Sequence, residues 1–413
     1  MQYNHLARLY FMHVPKNAGT TVFYWLRELF DDAAICPANH FDEFRRLVHD
    51  EQHLYRLYSG HFGAIQDATM GIIEDTSTFT MLRRPVDREK SVWRYLNGFG
   101  ETQIALYGQG TWATSRLIAA TKESSLGELY AKPDFLNLYA NGQTRWIGTV
   151  EGSAPEHQPV LDLETLNRAK ERLLRIRSFG IVEDMLRSSL LLSSEFGLPW
   201  LPITGRENMS RVSGEVPVDA DVDDLVGKGS ALDVELYRFA TEVFEARYEA
   251  MLGKIGIPQS AAPEDVGAAV DAHFNASTPV TPRYSSFRAS QSNGLVARGF
   301  DRRFFYEPAR RWLRWTKADT TPTIWLPIDR SGARNVTFEA IYLRGHPKWG
   351  VAVNGNRVPT STKLVQWDDG SWHTELIVRL PSMATDRAYT QFTFEPEDGE
   401  TEIAFALGDI IVA

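Results

Sequence analysis

The sequence predicts an α/β fold, a P-loop-like parallel sheet flanked by helices, followed by a C-terminal all-β sandwich. Residues 8–255 alternate short apolar runs with long amphipathic segments, the pattern that places helices on both faces of a parallel sheet. Residues 295–413 instead carry short β-rich runs separated by turn residues, without a helix-length pattern. At 413 residues the chain also exceeds the usual size of one hydrophobic core, so two domains are expected.

Four apolar runs in the first region predict strands, and five segments of helical period predict helices. The strands are predicted at Arg8–Val14, Leu54–Ser59, Phe79–Leu82 and Phe179–Val182. The helices are predicted at Thr20–Phe30, Val86–Leu96, Leu163–Ile176, Met185–Phe196 and Leu232–Ile255. We assign residues 1–257 to the first domain and 295–413 to an accessory sandwich in which "NGN" at 354–356 predicts a hairpin. Residues 258–294, rich in Ala, Ser, Thr, Pro and Asn, are predicted to form a linker.

Composition excludes several classes of protein. With 43% hydrophobic and 23% charged residues the chain has the composition of soluble globular proteins, and no segment approaches the roughly 20 apolar residues of a membrane span. A polar start without a signal pattern favours a cytoplasmic location. Cys36 is the single cysteine, so an internal disulfide or a cysteine-cluster metal site is excluded. A net charge of −9 argues against a nucleic-acid partner.

The segment "HVPKNAGTT", residues 13–21, predicts an anion-binding turn between the first strand and the first helix. Such a turn directs free backbone N–H groups and the positive end of the helix dipole at a phosphate. Gly19 allows close backbone approach, Lys16 adds a positive charge, and Thr20 and Thr21 offer hydroxyl groups. The ATPase pattern G-x-x-x-x-G-K-[ST] places lysine after the last glycine, whereas Lys16 precedes Gly19 by three positions. This departure removes the usual magnesium-ligand pattern.

A second polar segment, "TMLRRPVDREKSVWRY" at residues 80–95, predicts a second phosphate contact at the same sheet edge. Arg83 ends a predicted buried strand, and Pro85 stands at a favoured first position of the next helix. Ser91 follows two turns into that helix. An arginine fork and a hydroxyl group suit a phosphate. For Arg88 a surface ion pair with Asp87 or Glu89 and a ligand role are both open.

Together the two segments resemble the 5′-phosphosulfate loop and the 3′-phosphate segment, R-x-P-x-x-R-x-x-S-x-Y, of carbohydrate sulfotransferases, including heparan sulfate 2-O-sulfotransferase-like enzymes and bacterial relatives. The resemblance implies 3′-phosphoadenosine 5′-phosphosulfate (PAPS) as donor, 3′-phosphoadenosine 5′-phosphate (PAP) as product, a carbohydrate or glycoconjugate acceptor and no metal. It also implies a nucleotide-covering loop at "ENMSRVSGEV", residues 207–216. The implied cofactor-binding residues are Lys16, Asn17, Ala18, Gly19, Thr20, Thr21, Arg83, Ser91, Ser210 and Arg211.

The candidate general base is His61. It lies in "YSGHFGAI", residues 58–65, which resembles the Y-x-G-H segment in which related enzymes carry the proposed base. Glu74 and Asp75 are alternatives, because some sulfotransferases use a carboxylate. His13, at the mouth of the loop, either touches the cofactor or bonds to the backbone. Lys16 is expected to stabilise the negative charge that grows on the leaving phosphate.

Further polar and aromatic residues are weaker candidates for acceptor binding. "NLYANGQTRWIG", residues 137–148, combines Asn, Gln, Arg and Trp, and we select Arg145 and Trp146 as sugar contacts. Core packing explains Trp146 equally well. In the second domain, tryptophans that either stack on sugars or fill the core stand at positions 325, 349, 367 and 372.

The leading hypothesis is a PAPS-dependent carbohydrate O-sulfotransferase. An ATP-dependent kinase of a glycan or small molecule is the first alternative, and it requires magnesium and a carboxylate ligand that the sequence does not place. A non-catalytic glycan-binding protein is the second alternative.

Overall fold

The computed structural model describes residues 6–30, 32–47, 54–63, 77–103, 115–132, 140–150, 161–201, 221–277, 283–291, 295–317, 320–342, 349–383, 389–396 and 405–413. The chain divides into two compact units. The α/β unit comprises residues 7–23 and 36–267, and the β unit comprises residues 1–6, 24–35 and 268–413. Among the described residues, no helix combines the length and the apolar character that a bilayer span requires.

The α/β unit contains a four-stranded sheet in which every described neighbour is parallel. Its strands, in the order β2-β1-β3-β4, are β1 (Leu9–Met12), β2 (Leu57–Gly60), β3 (Thr78–Leu82) and β4 (Ser178–Ile181). Every residue of these strands is buried, as expected for a parallel sheet covered on both faces. The four predicted strands are confirmed, although the second begins three residues later than predicted because Leu54 is 68% exposed.

Helices accompany this sheet, and the five predicted ones are confirmed. They are α1 (Gly19–Arg27), α3 (Pro85–Asn97), α7 (Leu163–Arg175), α8 (Met185–Phe196) and α10 (Ala231–Ile255). Five shorter helices were not predicted: α2 (Phe41–Arg46), α4 (Ser115–Glu123), α5 (Leu126–Tyr130), α6 (Gly142–Gly148) and α9 (Val222–Gly229). They are too short to show a repeated apolar period.

The segment predicted as a linker contains helix α11 (Pro263–Ser277). Its first turn carries Pro263, Glu264 and Asp265, and its buried side chains Val266, Val270 and Phe274 recur every four residues. Alanines between these residues make the apolar period of the helix hard to recognise in the sequence. The domain boundaries themselves stay a prediction.

The β unit contains two antiparallel sheets. The larger has the order β13-β14-β10-β16-β8-β7, with β5 also paired to β16, and the smaller has the order β12-β11-β15-β9-β6. Their strands are β5 (Phe287–Ala289), β6 (Val296–Arg298), β7 (Phe300–Tyr306), β8 (Arg311–Thr316), β9 (Thr323–Leu326), β10 (Arg334–Tyr342), β11 (Trp349–Val353), β12 (Asn356–Val358), β13 (Thr360–Gln366), β14 (Trp372–Leu380), β15 (Thr390–Pro396) and β16 (Phe405–Val412).

One buried cluster draws side chains from both of these sheets. The ring of Phe338 lies 5.2 Å from that of Phe392 and 5.1 Å from that of Phe394, centroid to centroid. The predicted hairpin at "NGN" is present, because Asn354 (φ 50°) and Gly355 (φ 80°) connect β11 to β12 in a two-residue turn. These contacts give the β unit a hydrophobic core of its own.

The tryptophans of the β unit differ in environment. Trp325 and Trp367 are buried, the first against Phe274 and the second stacked on His373, so both serve packing. Trp372 is 56% exposed. The side chain of Trp349 lies outside the described part of the chain.

Candidate active site

The candidate site lies at the carboxyl edge of the parallel sheet. From β1 the chain crosses to β2 on one side and then to β3 on the other, so the strand order reverses between β1 and β3. In open α/β sheets, ligands bind outside the carboxyl ends of strands at such a reversal. The loop that follows β1 carries Lys16, and Arg83 directly follows β3. The topology therefore places the two predicted phosphate-binding segments side by side.

The backbone of the loop is strained in the way that anion-binding turns often are. Lys16 (φ 67°) and Ala18 (φ 57°) adopt the left-handed region, which costs non-glycine residues about 1–2 kcal/mol each. Helix α1 begins immediately afterwards at Gly19, so the positive end of its dipole lies at the loop. Thr20 and Thr21 are half-buried in its first turn. Strain of this kind at a helix start favours a ligand-binding function.

Gly19 is required by the packing of His13. A Cβ atom built at Gly19 would lie 1.6 Å from His13 Nε2, so the imidazole ring rests directly on the glycine backbone. His13 in turn stacks on Phe11, with ring centroids 5.4 Å apart. Glycine is therefore needed at this position to leave room for the His13 ring, in addition to the space expected for an anion.

Arg83 and Arg88 both hold the loop through its carbonyl groups. Arg83 Nη1 donates to the Lys16 carbonyl at 3.2 Å, and Arg88 Nε donates to the Pro15 carbonyl at 3.2 Å. Arg88 is 3% exposed and pairs with the fully buried Glu89, so the alternative of a surface ion pair is excluded. Arg83 is half-buried, and its Nε is a buried atom that has no hydrogen-bond partner in the structure. Arg88 therefore supports the loop, and Arg83 has one donor atom without a partner among the described residues.

Lys16 is the central cation of the site. Its Nζ lies 4.1 Å from the centroid of the Tyr95 ring, a cation–π contact. Burial, followed by the positive charges of Arg83 and Arg88, lowers the pKa of Lys16 to about 8. Glu89 compensates the charge of Arg88, whereas Lys16 and Arg83 repel each other, and an anion would relieve that repulsion.

Three histidines meet next to the loop. The rings of His13 and His61 stack with centroids 4.2 Å apart, and that of His40 lies 5.6 Å from His61. His61 Nδ1 lies 2.9 Å from the His13 carbonyl oxygen. A carbonyl only accepts, so Nδ1 carries the proton and neutral His61 has its lone pair on Nε2. Burial and the neighbouring His40 lower the pKa of His61 to about 4, which keeps the ring neutral near pH 7.

Gln143 links the two segments that the sequence predicts to bind phosphate. From the sequence alone, Gln143 was assigned only to a group of polar and aromatic residues suited to sugars. The fully buried Gln143 Oε1 accepts from Asn17 Nδ2 at 2.8 Å and from the Arg83 backbone N–H at 2.8 Å. Its Nε2 donates to the Arg83 carbonyl at 2.8 Å. Asn17 also donates to the Met81 carbonyl at 2.6 Å, and its buried Oδ1 has no partner in the structure. Asn17, predicted as a cofactor contact, thus also anchors the loop.

Helices α6 and α10 cap each other behind Gln143. Asp233 accepts from the backbone N–H groups of Gln143 at 3.0 Å and Thr144 at 2.7 Å. Asn141 Oδ1 accepts from the backbone N–H groups of Leu232 at 2.9 Å and Asp233 at 3.0 Å. An Asn or Asp just before a helix, or in its first turn, is recognisable in a sequence as a capping residue. The sequence does not show that each of these residues caps the other helix.

The remaining predicted residues occupy different positions. Ser91 is half-buried in α3, one turn beyond Arg88. Arg145 and Trp146, predicted as weak acceptor contacts, are buried at 9% and 3% exposure, and the Trp146 ring lies 5.6 Å from that of His61. Ser210, Arg211, Glu74 and Asp75 lie outside the described residues. Within the described part, His, Cys, Asp and Glu side chains form no group of three that could hold a metal.

Comparison with known proteins shows which proteins the chain is similar to. No protein-family model matches the chain. The chain is 26% identical to heparan-sulfate 6-O-sulfotransferase 2 of Gallus gallus over 195 residues, which cover 42% of this chain and 46% of the relative. It is 26% identical to heparan-sulfate 6-O-sulfotransferase 1 of Homo sapiens over 182 residues, 41% of this chain and 44% of the relative. The match thus spans less than half the length of these relatives.

These similarities confirm the resemblance to carbohydrate sulfotransferases. The relatives are named as 6-O-sulfotransferases, whereas the sequence segments had suggested 2-O-sulfotransferase-like enzymes.

Proposed function

We propose that the chain is a PAPS-dependent O-sulfotransferase that transfers a sulfonate group to a hydroxyl of a carbohydrate or glycoconjugate. The observation that carries the proposal is the meeting of Lys16 and Arg83 at the strand-order reversal, where Arg83 Nη1 bonds to the Lys16 carbonyl. A single edge of the sheet then offers cations and a helix N-terminus for two phosphate groups of one nucleotide. The similarity to heparan-sulfate 6-O-sulfotransferases supports a carbohydrate acceptor.

The described residues fit an anionic nucleotide. Buried donor capacity remains on Arg83 Nε, and the positive charges of Lys16 and Arg83 have no carboxylate ion-pair partner in the described part of the chain. Lys16, Asn17, Ala18, Gly19, Thr20 and Thr21 would surround the 5′-phosphosulfate, and Arg83 and Ser91 would hold the 3′-phosphate. We place Ser210 and Arg211 over the nucleotide on the strength of the sequence resemblance.

The proposed mechanism is in-line transfer. When bound, PAPS supplies a sulfonate whose bond to the phosphate oxygen breaks as a bond to the acceptor oxygen forms. His61 Nε2 takes the proton of the acceptor hydroxyl, while Nδ1–H stays bonded to the His13 carbonyl and fixes the ring. The Lys16 ammonium stabilises the charge that develops on the leaving phosphate. In this mechanism His61 is the described group that takes the acceptor proton.

Nucleotide binding tests this proposal directly. In titration calorimetry, PAP should bind without magnesium and more tightly than ATP with magnesium. Lys16→Ala should weaken PAP binding at least about tenfold, whereas Lys317→Ala, which removes a lysine paired with Glu28, should leave it unchanged. Magnesium-dependent ATP binding in preference to PAP would favour a kinase. Tight PAP binding without transfer of radiolabelled sulfonate to any of a panel of polysaccharides would contradict the enzymatic part.

A further inference from the structure

We propose that Gln143 is a positioning residue that sets the spacing between the two phosphate-binding segments and thereby the selectivity for a 3′-phosphorylated nucleotide. This inference rests on the proposed function, because that function assigns the 5′-phosphosulfate to the loop of Lys16 and the 3′-phosphate to Arg83. Gln143 itself is 0% exposed and acts through its neighbours.

The three hydrogen bonds of the Gln143 amide form a bridge between distant parts of the chain. One bond reaches the loop after β1 through Asn17, and two reach the residue after β3, at the N–H and the C=O of Arg83. Gln143 lies 126 residues from Asn17 and 60 from Arg83 in sequence. The position of Arg83 relative to the loop is therefore held from a third element, helix α6.

The chemistry of the bridge is specific to an amide. Gln143 Oε1 faces two N–H donors, and Nε2 faces a carbonyl oxygen. If the amide group were rotated by 180°, its NH₂ would face the two N–H donors and its oxygen would face the carbonyl oxygen of Arg83. The hydrogen-bond partners therefore fix the orientation of the amide. Leucine at this position can make none of the three bonds. Glutamate keeps the two acceptor contacts but sets an oxygen against the Arg83 carbonyl.

The bridge is also rigid at its base. Asp233, which is fully buried, accepts from the Gln143 and Thr144 backbone N–H groups, and Asn141 closes the reciprocal cap on α10. The Gln143 backbone is thus fixed by the α6–α10 caps, while its amide is fixed by Asn17 and Arg83. A bridge held at three points presets the distance between Lys16 and Arg83 before the nucleotide arrives. Binding two phosphates at a preset distance avoids an ordering cost.

A comparison of PAP with adenosine 5′-monophosphate (AMP), which lacks the 3′-phosphate, isolates this role. We expect the ratio of PAP affinity to AMP affinity to fall by about tenfold or more in Gln143→Leu and Gln143→Glu. In Gln143→Glu the AMP affinity should stay within a few-fold, because the Asn17 contact survives. In sulfonate transfer, KM for PAPS should rise more than kcat falls.

Gln291→Leu is the matched control, because Gln291 is a buried glutamine of the β unit whose Nε2 donates to the Gly408 carbonyl at 2.7 Å. It should lower the melting temperature and leave the affinity ratio unchanged. A folded Gln143 variant with the wild-type ratio would overturn the inference. A wild-type protein that binds PAP and AMP equally would instead overturn the proposed function.

Hydrogen exchange of the wild-type protein gives a second test that needs no variant. The Arg83 amide, which donates to Gln143, should exchange slowly both without and with PAP if the spacing is preset. Rapid exchange in the free protein that slows only on PAP binding would show that the nucleotide sets the spacing, and would overturn the inference.

Discussion

The loop edge of the α/β unit and the larger sheet of the β unit treat buried charge in opposite ways. At the loop edge, Lys16 and Arg83 contact an aromatic ring and a backbone carbonyl, and neither forms an ion pair with a described carboxylate. In the β unit, Arg288 and Arg311 both donate to Asp409 Oδ2 at 2.7 Å, and Glu339 lies within 3.5 Å of each. Arg88, behind the loop, pairs with Glu89 as the arginines of the β unit pair with their carboxylates, so the contrast concerns Lys16 and Arg83. Ion pairing within a cluster is typical of a structural role, whereas cations without a carboxylate partner favour an anionic ligand.

The loop edge also differs in backbone strain from the β11–β12 hairpin of the smaller sheet, although Arg310 (φ 51°), in the β7–β8 turn, shows that a left-handed non-glycine residue occurs in the β unit as well. In the loop edge, left-handed conformations fall on Lys16 and Ala18, residues that disfavour them. In the β11–β12 hairpin they fall on Asn354 and Gly355, which tolerate them. The residue types of the hairpin suit its left-handed backbone conformation, whereas those of the loop do not suit theirs. Strain that local sequence does not relieve is typical of functional sites.

The largest expected effect is that of His61→Ala. Without a base at this position, sulfonate transfer should fall by about 10²–10⁴-fold, while PAP affinity stays within a few-fold. Steady-state turnover with radiolabelled donor and calorimetry with PAP measure the two quantities. His373→Ala, which removes a buried histidine of the β unit, is the control and should change stability only. Unchanged turnover in His61→Ala would transfer the role of base to another group, such as Glu74 or Asp75.

The next effect concerns Gly19→Ala. A methyl group at this position would collide with the His13 ring, so the ring and the loop must move apart. PAP affinity should fall at least about tenfold, since a misplacement of about 1 Å removes oriented contacts. Gly253→Ala is the matched control: its Cβ meets nothing within 4 Å in α10, and alanine should raise stability by about 0.5–1 kcal/mol. Equal PAP affinity in both variants would mean that the His13 contact is dispensable.

The sequence predicted the main elements because each carries a strong periodic or turn signal. The loop "HVPKNAGTT" and Arg83 were located correctly relative to the sheet, since each directly follows an apolar strand. The Gln143 bridge and the Asp233 cap were missed, because both depend on contacts between residues at least 60 positions apart. Helix α11 was missed because its alanines dilute the apolar period. Local pattern thus predicts elements, and only tertiary contact shows which polar residue serves which partner.

The pH dependence of kcat/KM provides a smaller and more specific test. In the proposed mechanism neutral His61 is the active form, and its pKa is lowered to about 4, so activity should not decline as pH falls through 6.5. The same mechanism requires charged Lys16, whose pKa is lowered to about 8, so activity should decline as pH rises above about 8. In Lys16→Arg the side chain stays charged up to about pH 12. Its kcat/KM should therefore not decline above about pH 8, although below that pH it should be lower than that of the wild type. A decline near pH 6.5, or an unchanged basic limb in Lys16→Arg, would contradict these roles.

The smallest expected effect on activity is that of Asp409→Asn. Removing this carboxylate takes away a partner that Arg288 and Arg311 share. The free energy of unfolding should fall by about 1–2 kcal/mol, since Arg288 is about half exposed and regains water. PAP affinity should not change, because the charges of this cluster cancel one another rather than face a ligand. Denaturant unfolding and calorimetry measure both quantities, with Asp301→Asn at an exposed position of β7 as control, expected within about 0.5 kcal/mol of wild type. If Asp409→Asn instead lowered PAP affinity more than a few-fold, the Asp409 cluster would not be purely structural. The contrast between this cluster and the cations Lys16 and Arg83 would then be wrong.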